Sequence, residues 1–181
     1  PPAGGGPGVP FAAAGLDDGP GAATVGALQG FVAAEARDIS GEAFSRFMND
    51  LYTRVFVMVN SQNPAEKLGG VRAIDALIGV GLSGEDAAKT TRFANYLRDV
   101  FQPGTQPGTV RLAARALGHL VRRGGPMTSD VVTFEVRRSI VWLQEPAGGQ
   151  RFAACHILRE LAENAPTVFN VHVSLFIGAV W

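Results

Sequence analysis

The chain has 181 residues, enough for one domain with a sizeable core, and 46% of them are apolar. Its 16 basic and 16 acidic residues cancel, so no basic excess points to nucleic acid and no polybasic run to an anionic membrane. Cys155 is the single cysteine, which excludes a disulfide framework or a cysteine-built zinc site within the chain and fits a reducing, intracellular setting.

Residues 1–21 read PPAGGGPGVPFAAAGLDDGPG. Gly and Pro dominate, too few apolar side chains are present to offset the entropy of ordering, and a disordered tail is expected. Eight helices in four pairs are then predicted over 22–181. The first covers 22–37. The second, over 41–61, carries Phe44, Phe47, Met48, Leu51, Val55, Met58 and Val59 at helical spacing. Asn63 is placed to cap the third, with Pro64 at its first position and Glu66 three residues after the cap, a capping-box arrangement. Gly79 and Gly81 stop it. Ser83 with Asp86 starts the fourth, which runs to Phe101.

After a loop over 103–107 the fifth helix spans 107–123, ended by Gly124, Gly125 and Pro126. The sixth starts at Thr128 or Ser129 and carries Val132, Val136, Ile140 and Leu143. The seventh covers 150–164, and Pro166 opens the eighth. The apolar run over 168–181 includes Asn170, His172 and Ser174 and is too short for a membrane span. It reads as a buried helix, although the alternation over 171–175 also permits a strand. The chain opens on Pro and ends at Trp181 inside this run, so a piece of a longer protein, continuing beyond 181, is expected. No charged stretch leading into an apolar one opens the chain, and no secretory signal is expected.

The helices repeat. Leu28 and Phe31, Ile74 and Leu77, Leu117 and Leu120, and Leu158 and Leu161 form pairs three apart, at steps of 46, 43 and 41 residues. A small residue stands four positions before each pair: Thr24, Gly70, Ala113 and Ala154. The second helices match too, Arg46-Phe47-Met48-Asn49-Asp50-Leu51 against Arg92-Phe93-Ala94-Asn95-Tyr96-Leu97. Two helices per step of this size predict an all-α fold, a HEAT- or armadillo-type α-solenoid of about four helix pairs. A single pair cannot bury its own apolar stripe, whereas stacked pairs share a continuous core. Gly69 and Gly70 each cost about 1 kcal/mol of helix propensity against Ala, so a tight crossing is expected there.

Few residues suggest chemistry. Gly79-Val80-Gly81-Leu82-Ser83-Gly84 spells a dinucleotide-type glycine pattern, but a helix precedes it in place of a strand, and Glu85 and Asp86 would oppose phosphates. It reads as a helix stop followed by a cap. His119, His156 and His172 lack partners at metal-ligand spacing. Cys155, beside Ala153 and Ala154, reads as a buried inert thiol. No catalytic, cofactor-binding or metal-binding residue is assigned. Arg122-Arg123 and Arg137-Arg138 flank one helical hairpin, either as solvated charge or as a small basic patch for an acidic partner.

The segment Glu66-Lys67-Leu68-Gly69-Gly70-Val71-Arg72-Ala73-Ile74-Asp75-Ala76-Leu77-Ile78-Gly79-Val80 resembles one near the N-terminus of target of rapamycin (TOR) kinases. So do Arg92-Phe93-Ala94-Asn95-Tyr96-Leu97-Arg98, Ala116-Leu117-Gly118-His119-Leu120, Phe134-Glu135-Val136-Arg137-Arg138, and the stretch from Arg151-Phe152-Ala153-Ala154 through Leu158-Arg159-Glu160-Leu161-Ala162, in the same order. The resemblance starts at about residue 22. The tail does not share it, and the loop over 102–108 is individual to this chain. It implies the N-terminal HEAT solenoid of a large serine/threonine kinase of the phosphatidylinositol-kinase-related group, a scaffold and partner-docking segment in the control of growth by nutrients. The implied partners are Raptor-type subunits and other TOR-complex members, with no nucleic acid and no membrane insertion. The implied location is cytoplasmic, with endomembrane surfaces reached as part of a TOR complex. Kinase chemistry, with ATP and Mg, is implied for the full-length protein only; no cofactor is expected in this segment. The alternative is a stand-alone HEAT-repeat adaptor binding other proteins.

Overall fold

The computed structural model describes residues 20–80 and 86–180. The expected disordered tail, apart from its last two residues, and the glycine pattern from Gly81 onward lie outside the described residues. The elements are α1 (Pro20–Asp38), α2 (Gly41–Val59), α3 (Pro64–Gly79), α4 (Asp86–Val100), α5 (Pro107–Gly124), α6 (Ser129–Gln144), α7 (Gly148–Asn164), α8 (Pro166–Phe169) and α9 (Val173–Val180), with 3-10 turns at Gly125–Thr128 and Asn170–His172. Among the described residues there is no strand.

Local chemistry sets the boundaries. Ser40 caps α2, its Oγ accepting from Ala43 N at 3.4 Å. Asn63 Oδ1 accepts from Ala65 N at 2.9 Å, and Pro64 fills the first position of α3, where no backbone donor is needed. The capping box closes differently from expectation. Ser61 Oγ accepts from Asn63 N and donates to Glu66 Oε2 at 2.6 Å, so Glu66 acts through Ser61. Gly125, at φ 51°, ends α5 in a conformation that side chains disfavour. α6 starts at Ser129, within the expected boundary; Thr128 stands at the cap position, but its hydroxyl turns back and donates to Gly125 O at 2.7 Å. Gly104, at φ 87°, turns the loop before α5.

The helices form two layers. α1, α3, α5 and α7 pack in succession, while α2 packs on α3, α4 on α5 and α6 on α7. The predicted pairs are thus joined in sequence, but the closer packing is between the second helix of one pair and the first of the next. This all-α stack is a solenoid. The repeated apolar positions make its core: Ile74, Leu77, Leu117, Leu120, Leu158 and Leu161 are all buried. Gly70, Ala113 and Ala154 are buried beside them. A Cβ on Gly70 would lie 2.8 Å from Val59 N and 3.0 Å from Met58 Cβ, which is the tight crossing the glycine pair predicts, here between α2 and α3. Gly118 is a second close approach, where a Cβ would stand 3.1 Å from Glu160 Cβ on α7.

Two expectations fail at the ends of the stack. Phe31 is 53% exposed and Leu28 half-buried. No described helix precedes α1, so its apolar face has a partner on one side only. The eighth helix is helical but is neither continuous nor buried. The 3-10 turn at Asn170–His172 divides it, and Val171, Leu175 and Ile177 are exposed. A helix apolar on all sides needs neighbours on all sides, and α6 and α7 cover only part of it.

Candidate docking surface

The residues that could have carried chemistry do not converge. Cys155 is exposed, not buried as expected; its neighbours Ala153 and Ala154 face the core, and one further residue turns the thiol outward. His119 Nδ1 lies 2.9 Å from Asp75 Oδ1, a bond between α5 and α3. His156 stacks edge-on against Phe152 at 4.5 Å, and burial, followed by the nearby Arg159 and Arg111 charges, pushes its pKa below the usual imidazole range. His172 is buried, with Nε2 3.4 Å from Thr133 Oγ1. Among the described residues no group of three or more His, Cys, Asp or Glu could hold a metal ion, and no helix is long and apolar enough to cross a membrane. Gly79 ends α3 and Val80 continues in extended backbone, so the described start of the glycine pattern follows a helix.

What does converge is a cluster of cations and aromatics joining α4 to α6. Glu135 is 1% exposed. It pairs with Arg138 one turn along and accepts from Arg98 Nε across the helices at 3.4 Å. Burial pushes its carboxyl above the usual range; the two guanidinium groups pull it back only in part. Arg98 stacks 4.0 Å over Phe134, and Arg138 lies 4.3 Å over Trp142 and 5.4 Å over Phe101. A related contact joins the previous pair: Arg92 lies 4.6 Å over Tyr52, whose ring meets Phe93 at 5.6 Å, and Arg92 Nη1 reaches Asn49 Oδ1 at 3.4 Å. The matched arginine and asparagine of successive repeats therefore bond to each other. Arg46, Arg92 and Arg138 stand 46 apart, a continuation that the weaker resemblance of the later repeats conceals.

Beside this cluster runs an open groove of about 570 Å³, lined among the described residues by Asp130, Thr133, Phe134, Arg137, Arg138, Val141 and Trp142. A smaller one, about 150 Å³, includes Ile78, Lys89, Leu120, Arg123 and Met127. The two arginine pairs thus do not form one patch, since Arg123 belongs to the second groove and Arg137 and Arg138 to the first. Arg138 is committed internally to Glu135, whereas Arg137 is exposed. Lys89 is buried and donates to Val80 O at 2.9 Å, satisfying a carbonyl at the end of α3.

An all-α stack of this kind, with extended faces and dispersed polar groups, defines the chain as a helical-repeat segment. No family model matches it. Its relatives are kinases: it is 51% identical over 146 residues to the serine/threonine-protein kinase TOR of Arabidopsis thaliana, covering 80% of this chain and 6% of that protein. It is 47% identical over 160 residues to the TOR kinase of Oryza sativa subsp. japonica, covering 86% and 6%. With TOR2 of Saccharomyces cerevisiae the figures are 39% over 156 residues, 81% and 6%. The chain is homologous to a segment of TOR serine/threonine kinases and spans about 6% of the length of these relatives.

Proposed function

We propose that this chain is a HEAT-type scaffold and partner-docking segment of a TOR-like serine/threonine kinase that controls growth in response to nutrients. The observation that carries the reading is the pairing of homology with architecture. Most of the chain matches one small segment of TOR kinases, and it folds as a stack whose charged groups largely bind one another or face solvent. Such stacks present long surfaces to other proteins. The proposed partners are Raptor-type subunits and other TOR-complex members, met in the cytoplasm and at endomembrane surfaces. ATP and Mg belong, on this reading, to a kinase domain elsewhere in the full-length protein.

The test is direct binding of the purified 181-residue chain, shown to be helical by circular dichroism, to a purified Raptor-type subunit and to the remaining TOR-complex subunits. Saturable binding to at least one is expected. A folded chain that binds none of them, or that transfers phosphate from ATP-Mg to protein by itself, would contradict the proposal.

A further inference from the structure

Every described residue lining the larger groove falls on one face of α6, at spacings of three, four, seven and eight. Phe134 is 45% exposed and Val141 56%, one heptad apart, with Trp142 beside Val141. With Trp142 they form one apolar stripe along the helix, with Arg98 over one face of the Phe134 ring, and a contiguous stripe of this kind suits a contact surface better than scattered single side chains do. Between the two apolar positions stands Arg137. It is exposed and has no hydrogen bond or ion pair among the described residues, unlike Arg138. A guanidinium beside apolar surface suits a carboxylate, which it can bind through two parallel donors while its stem stays against hydrocarbon.

The geometry points to this face of α6 as the docking site for an amphipathic helical segment of a partner protein, one that carries apolar side chains two turns apart and a Glu or Asp between them. The apolar pair would cover Phe134 and the Val141–Trp142 end, and the acid would meet Arg137. Charge complementarity decides the occupant. Arg137 calls for an acid in the middle of the segment and Asp130, at the opposite end of the stripe from Trp142, for a neutral or basic far end, a pattern of sign that a peptide can match and a uniformly anionic bilayer does not offer. The inference rests on the docking function proposed above and names where and by what chemistry one partner is taken.

The probe is a fluorescein-labelled designed helix with two Leu seven positions apart and Glu midway, and a copy with Lys in place of Glu. Each is titrated into the 181-residue chain and its Arg137→Glu and Val141→Asp variants, with circular dichroism confirming fold. The acidic peptide should bind the unaltered chain and lose about tenfold affinity or more to either variant. The Lys peptide should recover on Arg137→Glu. If Val141→Asp unfolds the chain, Arg137→Glu and the charge swap decide. No binding of the acidic peptide, equal binding to Arg137→Glu, or Arg137-dependent binding of phosphatidylserine vesicles without peptide binding would each overturn the inference. The two proposals fail separately. A Raptor-type subunit that binds the unaltered chain and both variants alike removes the groove and leaves the scaffold. TOR-complex subunits that all ignore the folded chain remove the scaffold reading, and the peptide titration then judges the groove alone.

Discussion

Gly70 meets Val59 so closely that a Cβ on the glycine would stand 2.8 Å from the valine's backbone nitrogen. That contact sets how near α2 approaches α3. It falls at the small-residue position of the repeat, four residues before Ile74, and Gly70 and Ile74 are both buried.

Gly70→Ala should therefore destabilise the chain by about 2 kcal/mol, because backbone must move to admit the methyl group. Gly26→Ala is the control. Nothing lies within 4 Å of a Cβ there, and the same substitution should stabilise by about 0.5–1 kcal/mol through helix propensity alone. Urea denaturation of both variants reads the difference. Equal effects would mean that the crossing between α2 and α3 is not tight.

The pairing of Arg138 with Glu135 predicts a pH-dependent cost. Glu135 carries a carboxyl raised by burial, so in the fold it holds its proton to a higher pH than in the unfolded chain. Its contribution to stability is full below the unfolded value and is lost as pH rises through the folded one. Arg138→Met removes the larger compensating charge and pushes the carboxyl further up. The variant should lose about 3 kcal/mol at neutral pH, where Glu135 is left buried without its main partner. Near pH 4, about the usual carboxylate range, the loss should shrink because Glu135 can hold a proton. Thermal unfolding of both proteins across this range gives the answer; a constant deficit would show that Glu135 is not the group responsible.

Ser139 is fully buried on α6, and its hydroxyl has no hydrogen-bond partner among the described residues. Ser139→Ala removes a desolvated polar group and adds helix propensity, so it should stabilise by about 0.5–1 kcal/mol. A drop in melting temperature would show that the hydroxyl is satisfied in solution.

Much of this molecule was legible because burial in a helical stack follows spacing. Ile74 with Leu77, Leu117 with Leu120 and Leu158 with Leu161 fall on the core face, and the glycine before the first pair marks a true close approach. Spacing alone does not tell whether a neighbouring helix is present, which is why Phe31 and Leu175 were expected to be buried and are exposed. Long-range polar partners were harder to read. Glu135 looks like any surface acid in sequence, and Arg98, which completes its burial, lies 37 residues away. The bond from Asp75 to His119 spans 44 residues, within one residue of the 43-residue step between those repeats. Adding the repeat step to Asp75 lands on Gly118, one position short of its partner, so the repeat points to the neighbourhood of the bond and not to the residue. The groove on α6 was half visible: its arginines were singled out, but the division of labour between Arg137 and Arg138 depends on which one faces Glu135.

The central claim, that this stack docks other proteins within a TOR-type complex, is tested most directly by hydrogen exchange. Amide exchange of the 181-residue chain is followed by mass spectrometry with and without a purified Raptor-type subunit. The account predicts slowed exchange confined to a contiguous exposed face of the stack, α6 included. Unchanged exchange throughout residues 20–180, at concentrations that saturate complex formation by the full-length kinase, would contradict it.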